Sequence, residues 1–442
     1  MKKTLSFSVG FRLSITYLTS AFLITAMVST PIFAGSTGGT GSFINGSTGG
    51  TGGSGNDGVI DPTDGTDGDN GTGTGGSGGS ADAVNGGRGD NGGDASGGTA
   101  AGGGGAGGNT TIVGGGSIML TITGGDGGNG GRGSGGGGNG GGGGGGDGVI
   151  LTGDTSINAN ITGGNGGDSA GASGGGGGGA GVVMTANGTI TTNSTTSIAG
   201  GNGGNLTVTP MGSGGAGIIF TTSGTLNNAA AITGGNGYEG GKGVVLFAPN
   251  VSITNEGVIK GGNGPSAMGG TAGAGISVVS DTTINNTGAI NGGNGASFTS
   301  NYSGAEGGNG SGGAIGSRNN NGSITRLGGE GINATGGNVT VITSGPISGG
   351  AAFTAGMDIF NRTYNAITFS GDNNVLELQN GYSFVGNVVC SGSGHTNNIL
   401  VLGGTVDSTF DVAKLGSDSY QNFNKYEKRD LILGHYRILQ QR

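Results

Sequence analysis

At 442 residues the chain carries 122 Gly, 6 Pro, no Trp and only 9% charged residues. That excludes an ordinary globular domain, because each Gly loses the most backbone freedom on folding and brings no side chain to bury. A formal net charge of -9 and a pI near 4.6 argue against nucleic acid as a partner, which requires a basic stripe. The single Cys390 excludes an internal disulfide framework, and with no Cys/His spacing of the zinc type neither a metal nor another cofactor is expected.

Lys2, Lys3 and Arg12 precede a largely apolar run from Leu13 to Val28, and Pro31-Ile32-Phe33-Ala34 leads into Gly35. Charge, apolar run and small residue together read as a secretory signal over residues 1–34, cut between Ala34 and Gly35. Thr and Ser interrupt the run, so export machinery is the expected partner and no stable membrane span is expected after removal.

Residues 35–110 are rich in Gly, Ser, Thr, Asp and Asn and read as a disordered low-complexity leader, with an irregular first turn at AVNGGRG. Within it, Arg88-Gly89-Asp90 has the form of an adhesion tripeptide on a flexible Gly-rich loop, although chance produces it readily in this composition. Asp57, Asp61, Asp64, Asp67 and Asp69 offer oxygen ligands for a hard cation but lack EF-hand spacing and a closing Glu. They read as a solvated acidic stretch.

From 111 to 350 a repeat emerges. Ile-x-Gly-Gly-Asn/Asp-Gly begins at Ile122, Ile161, Ile198, Ile232, Ile259 and Ile290, at spacings of 39, 37, 34, 27 and 31, and Ile347 follows after 57. Between these anchors lie two further apolar patches in constant order: GVIL, GVVM, GIIF, GVVL and GISV after each Gly tract, then a Thr/Ser/Asn-rich run such as VSITNEGVI. Three β-favouring runs per unit, separated by Asn/Gly corners, predict one turn of a parallel β-helix. The fold class is therefore all-β: a right-handed solenoid of roughly eight to ten turns whose stacking aligns like residues into internal ladders. The Gly tracts read as long loops of adjustable length. A bundle of polyproline-II strands, or disorder, is the competing reading, and it suits residues 35–120 better than 145–350.

Within 351–428, the segment from Ala366 to Lys428 resembles the recurring passenger segment of autotransporters, the secreted half of type V secretion proteins. Asn374 to Leu378 (N-x-L-x-L), Gly386 to Val389 (G-N-V-V), Asn398 to Gly404 (N-x-L-x-L-G-G) and Tyr420 to Lys428 follow in the family's order. Cys390 stands where Gly or Ser is expected. The resemblance implies export, cell-surface or extracellular placement, an adhesin-like display role towards host or neighbouring cells, and no catalysis.

After Lys428 the resemblance breaks. Residues 429–442, RDLILGHYRILQQR, replace the family's Thr-Gly-Ser/Thr-x-Thr-Trp-Thr-Leu and the outer-membrane barrel beyond it. Written as CGG GAT CTA ATA CTT GGA CAC TAC, Arg429 to Tyr436 read Thr-Gly-Ser-Asn-Thr-Trp-Thr-Leu once one adenine is restored after the Lys codon. The tail thus reads as frameshifted. Two alternatives follow: a remnant lacking its translocator, which would stop in the periplasm, and a carbohydrate-acting β-helix enzyme, which would need clustered Asp, Arg and Lys that the repeats do not supply. The G-x-G-x-x-G strings open no helix, and His395 and His435 assemble no Ser/His/Asp set.

Overall fold

The computed structural model describes residues 43–44, 47–48, 86–94, 105–108, 111–112, 114–133, 139–169, 174–204, 212–264, 270–295, 325–326, 328–354, 362–391, 396–406, 409–416, 419–430 and 435–438. All of them belong to one unit, Gly35–Arg442. The signal segment and its Ala34/Gly35 cut lie outside the described residues, as do the acidic stretch and His395.

The described chain is a parallel β-helix with three sheet faces of ten, eleven and eight strands. Each coil contributes one short strand to each face. In one coil these are Val182–Met184, Gly188–Thr192 and Ser197–Ala199. The next coil, Ile218–Phe220, Gly224–Asn228 and Ala231–Thr233, pairs with all three in parallel register. Two small antiparallel sheets lie outside the stack, Phe43–Ile44 with Ser47–Thr48, and Ala351–Thr354 between Thr325–Arg326 and Arg362–Thr363.

Strand registry turns the sequence repeat into internal columns. Ile122, Ile161, Ile198, Ile232, Ile259, Ile290 and Ile347 lie directly above one another on the third face, and Phe384 ends the column. All seven isoleucines are buried. On the first face Val149, Val182, Ile218, Val244, Ile276, Ile332, Ile367 and Val388 form a second column. Removing one such side chain from water is worth about 1.5–3 kcal/mol, and β-branched residues tolerate the extended backbone on which it depends.

The Gly tracts complete each coil. In the coil starting at Val149, residues 163–168 run outward and residues 174–180 return, and neither arm is a β-strand. Their hydrogen bonds repeat every third residue. Gly163 and Gly166 N–H donate to Ala199 and Asn202 of the following coil, while Gly164 and Gly167 donate to Gly146 and Gly143 of the preceding one. Gly179 and Gly176 donate to Gly164 and Gly167 across the coil itself, and Gly178 donates to Ser213 of the next. A three-residue period in three directions is that of bundled polyproline-II helices, whose backbone groups point outward and need partners on neighbouring chains.

This threefold form corrects the sequence expectation in two places. It recurs in the described parts of the tracts between 145 and 350, where it was expected to fit less well. It also begins inside the segment expected to be a disordered leader: Gly86, Gly89 and Gly92 donate to Thr123, Asp126 and Asn129, and Gly105 and Gly108 donate to Asp90 and Gly87. The cause is the neighbouring coil, which supplies carbonyl acceptors that an isolated Gly tract lacks.

The layer also explains the motif. A Cβ at Gly164 would overlap the Gly125 carbonyl oxygen, and one at Gly166 would overlap that of Gly176. Two positions in three must therefore be Gly. In the outward arm the third faces solvent and commonly takes Asn or Asp, whose Oδ1 accepts the backbone N–H one coil on: Asn165 to Asp126 (2.7 Å), Asn202 to Asn165 (2.9 Å), Asn236 to Asn202 (2.8 Å), Asn263 to Asn236 (2.8 Å) and Asn294 to Asn263 (2.9 Å). Gly164→Ala should cost about 3 kcal/mol through overpacking, against about 1 kcal/mol for Asn165→Ala, which removes one exposed acceptor and one exposed donor. Urea unfolding followed by circular dichroism checks this, and equal costs would contradict the close-packed layer.

Candidate functional site

On the second face, buried polar groups form a file through successive coils. The column Ile118, Ile157, Thr192, Asn228, Asn255, Asn286, Thr343, Leu378 changes from apolar to polar and back. Thr192 Oγ1 donates to Asn228 Oδ1 (2.8 Å), Asn228 Nδ2 to Asn255 Oδ1 (2.8 Å), Asn255 Nδ2 to Asn286 Oδ1 (2.7 Å) and Asn286 Nδ2 to Thr343 Oγ1 (3.1 Å). All five residues are buried. Each amide both donates and accepts along the stack, so the file satisfies itself and locks coil register. Its role is architectural.

The sequence-derived tripeptide is not presented on a loop. Gly89 is buried in the Gly layer, where its N–H donates to Asp126 and a Cβ would overlap the Gly105 carbonyl. Arg88 is exposed, with Nη2 3.4 Å from Asn91 Oδ1, and Asp90 is half-buried with its carbonyl held by Gly105 N–H. In a threefold helix, residues two apart project in different directions, so Arg88 and Asp90 do not point together from a turn. His435 starts the strand His435–Ile438.

One ionisable group departs from this pattern. Glu330 lies in the returning arm at a position equivalent to Ala274, since Gly243 donates to Ala274 and Gly275 to Glu330 in successive coils. Its side chain is buried and Oε2 has no hydrogen-bond partner among the described residues. Burial pushes its pKa up to about 6, while its own backbone N–H and the Lys242 charge pull more weakly the other way. A carboxyl that binds its proton more tightly when folded stabilises the fold below its ordinary pKa, and that contribution is lost as pH rises through about 6. Glu330→Gln should therefore raise stability at pH 7 by on the order of 2 kcal/mol and match the parent chain below pH 4.5. Paired urea titrations from pH 4 to 8 measure this difference, and a variant less stable at pH 7 would refute it.

At the C-terminal end the three faces stop at different heights. The third face ends at Ser383–Val385, the first continues through Val388–Cys390 to Tyr420–Gln421, and the second through Ile399–Leu402 to Lys425–Asp430. The last strand pairs antiparallel with His435–Ile438. It runs across the Lys428/Arg429 boundary without a break, and Arg429 Nη1 donates to the buried Glu377 carboxylate at 2.6 Å. Buried Cys390 has its thiol pushed up to about 12 by desolvation, which leaves it unreactive near neutral pH.

The missing third-face wall leaves a cleft of about 290 Å³ lined by Tyr382, Ser383, Phe384, Gly386, Val388, Lys414, Ser419 and Tyr420. Its aromatic rings form a connected cluster. Tyr382 and Phe384 lie 5.6 Å apart, Phe384 and Tyr420 meet edge-to-face at 6.1 Å, and Phe410 packs behind Tyr420 at 5.4 Å. Burial, then the hydrogen bond and proximity of Tyr382, raise the Tyr420 pKa. The sequence does not reveal the cleft, because Phe384 and Tyr420 lie 36 residues apart.

No family model, curated protein or solved structure matches this chain.

Proposed function

We propose that the mature chain is an exported surface-display stalk of the autotransporter-passenger kind, acting through adhesion or cell–cell contact and not through catalysis. The observation that supports this most is the stacking of ten first-face strands, which at strand spacing extends on the order of 45 Å. Because each coil bonds to its immediate neighbours, such a rod can fold progressively from one end as an exported thread emerges. The described residues between Ala366 and Lys428, the passenger-like segment, supply strands to the last coils, and this supports the reading.

Expressed with its own leader and an internal epitope tag, the chain should mature to a product beginning at Gly35. On intact cells the tag should then be removed by added protease. Export with the tag protected would overturn surface display, and retention of the uncut leader in the cytoplasm would overturn export as well. The nucleotide sequence around the Lys428 codon tests the frameshift directly.

A further inference from the structure

We propose that the cleft at the C-terminal end binds a single acidic sugar ring, such as the uronic-acid terminus of a glycan. The cleft exists because the third face stops two coils before the first, so a wall that encloses the core elsewhere is absent here. One lining residue, Val388, belongs to the first-face column. The others differ from the repeats: half-buried Tyr382 and Phe384 supply aromatic surface with buried Tyr420 behind them, Ser383 and Ser419 supply hydroxyls, and Lys414 supplies a cation.

This combination matches one chemical class. A pyranose ring has an apolar C–H face that packs on aromatic rings and a rim of hydroxyls that requires donors and acceptors; a carboxylate on that rim calls for a cation. The volume, about 290 Å³, is at the lower limit of small-molecule sites and accommodates one ring, not an extended chain. Lys414 ends the short 3-10 turn Val412–Lys414 and is exposed, so its ammonium remains hydrated until a ligand arrives. The nearest described carboxylate on that element, Asp411, is turned towards the backbone, accepting from Ala413 N–H at 3.0 Å. The net charge of -9 opposes an anion only weakly at this distance in physiological salt, where screening acts over about 8 Å. A neutral sugar would leave the cation unused, and a flat aromatic acid would leave the serines unused.

The site is independent of how, or whether, the chain is exported. Purified full-length mature chain is titrated with glucuronate, glucose and benzoate by ligand-observed NMR, with circular dichroism verifying the fold of each variant. Glucuronate should saturate with Kd on the order of 1 mM, with glucose and benzoate each about tenfold weaker. Lys414→Met, at an exposed position, should bring glucuronate down to the level of glucose. Tyr382→Ala should weaken both sugars. No saturable glucuronate binding, glucuronate affinity unchanged in Lys414→Met, or benzoate binding as tightly as glucuronate would each overturn the proposal.

Discussion

Each coil of this molecule bonds to the coil before it and the coil after it at the spacing of paired strands, about 4.8 Å, and that distance dictates what each position can hold. On the three faces it admits side chains that pack on copies of themselves, hence columns of Ile and Val. In the arms that connect the faces, the same distance brings neighbouring backbones so close that a methyl group at Gly164 would occupy the Gly125 carbonyl. Glycine is therefore not a filler between strands. It permits a second hydrogen-bonded lattice, threefold where the sheets are twofold, continuous with the strands through residues such as Thr162 and Ala199, whose carbonyls accept Gly124 and Gly163.

That constraint separates the uses of asparagine. Exposed copies in the Gly arms accept the N–H of the next coil, while internal copies at Asn228, Asn255 and Asn286 pass a donor-to-acceptor chain through the core. A carboxylate cannot join such a chain, because it has no donor to pass on. Away from that file, in a Gly arm, the buried carboxyl of Glu330 has an oxygen unpartnered among the described residues and a raised pKa.

The C-terminal coils depart from the regime. Past Gly350, Tyr364 takes over the coil-spanning donation that Gly arms perform below, bonding back to Gly350, and large aromatics end two columns, Phe384 on the third face and Tyr420 on the first. Where the third face ends, ring packing closes most of the core and leaves the cleft. The end of the stack is thus the one region among the described residues where side-chain chemistry, and not backbone repetition, shapes the surface.

Much of the architecture was legible in the chain. The recurring Ile before Gly-Gly-Asn-Gly marked the third-face column because a residue that must pack on its own copies has to recur once per coil whatever the loop length between. The GVV and SITN runs located the other two faces for the same reason. The threefold order of the Gly arms was legible only as a competing reading: a Gly tract carries no side chain to signal its partners, and many of its carbonyl acceptors come from other coils. The burial of Gly89 between Arg88 and Asp90 was not legible, nor was the cleft that joins Phe384 to Tyr420 and Lys414. Periodicity along the chain determines which residues stack, whereas what surrounds a backbone or a ring depends on distant segments that only folding brings alongside.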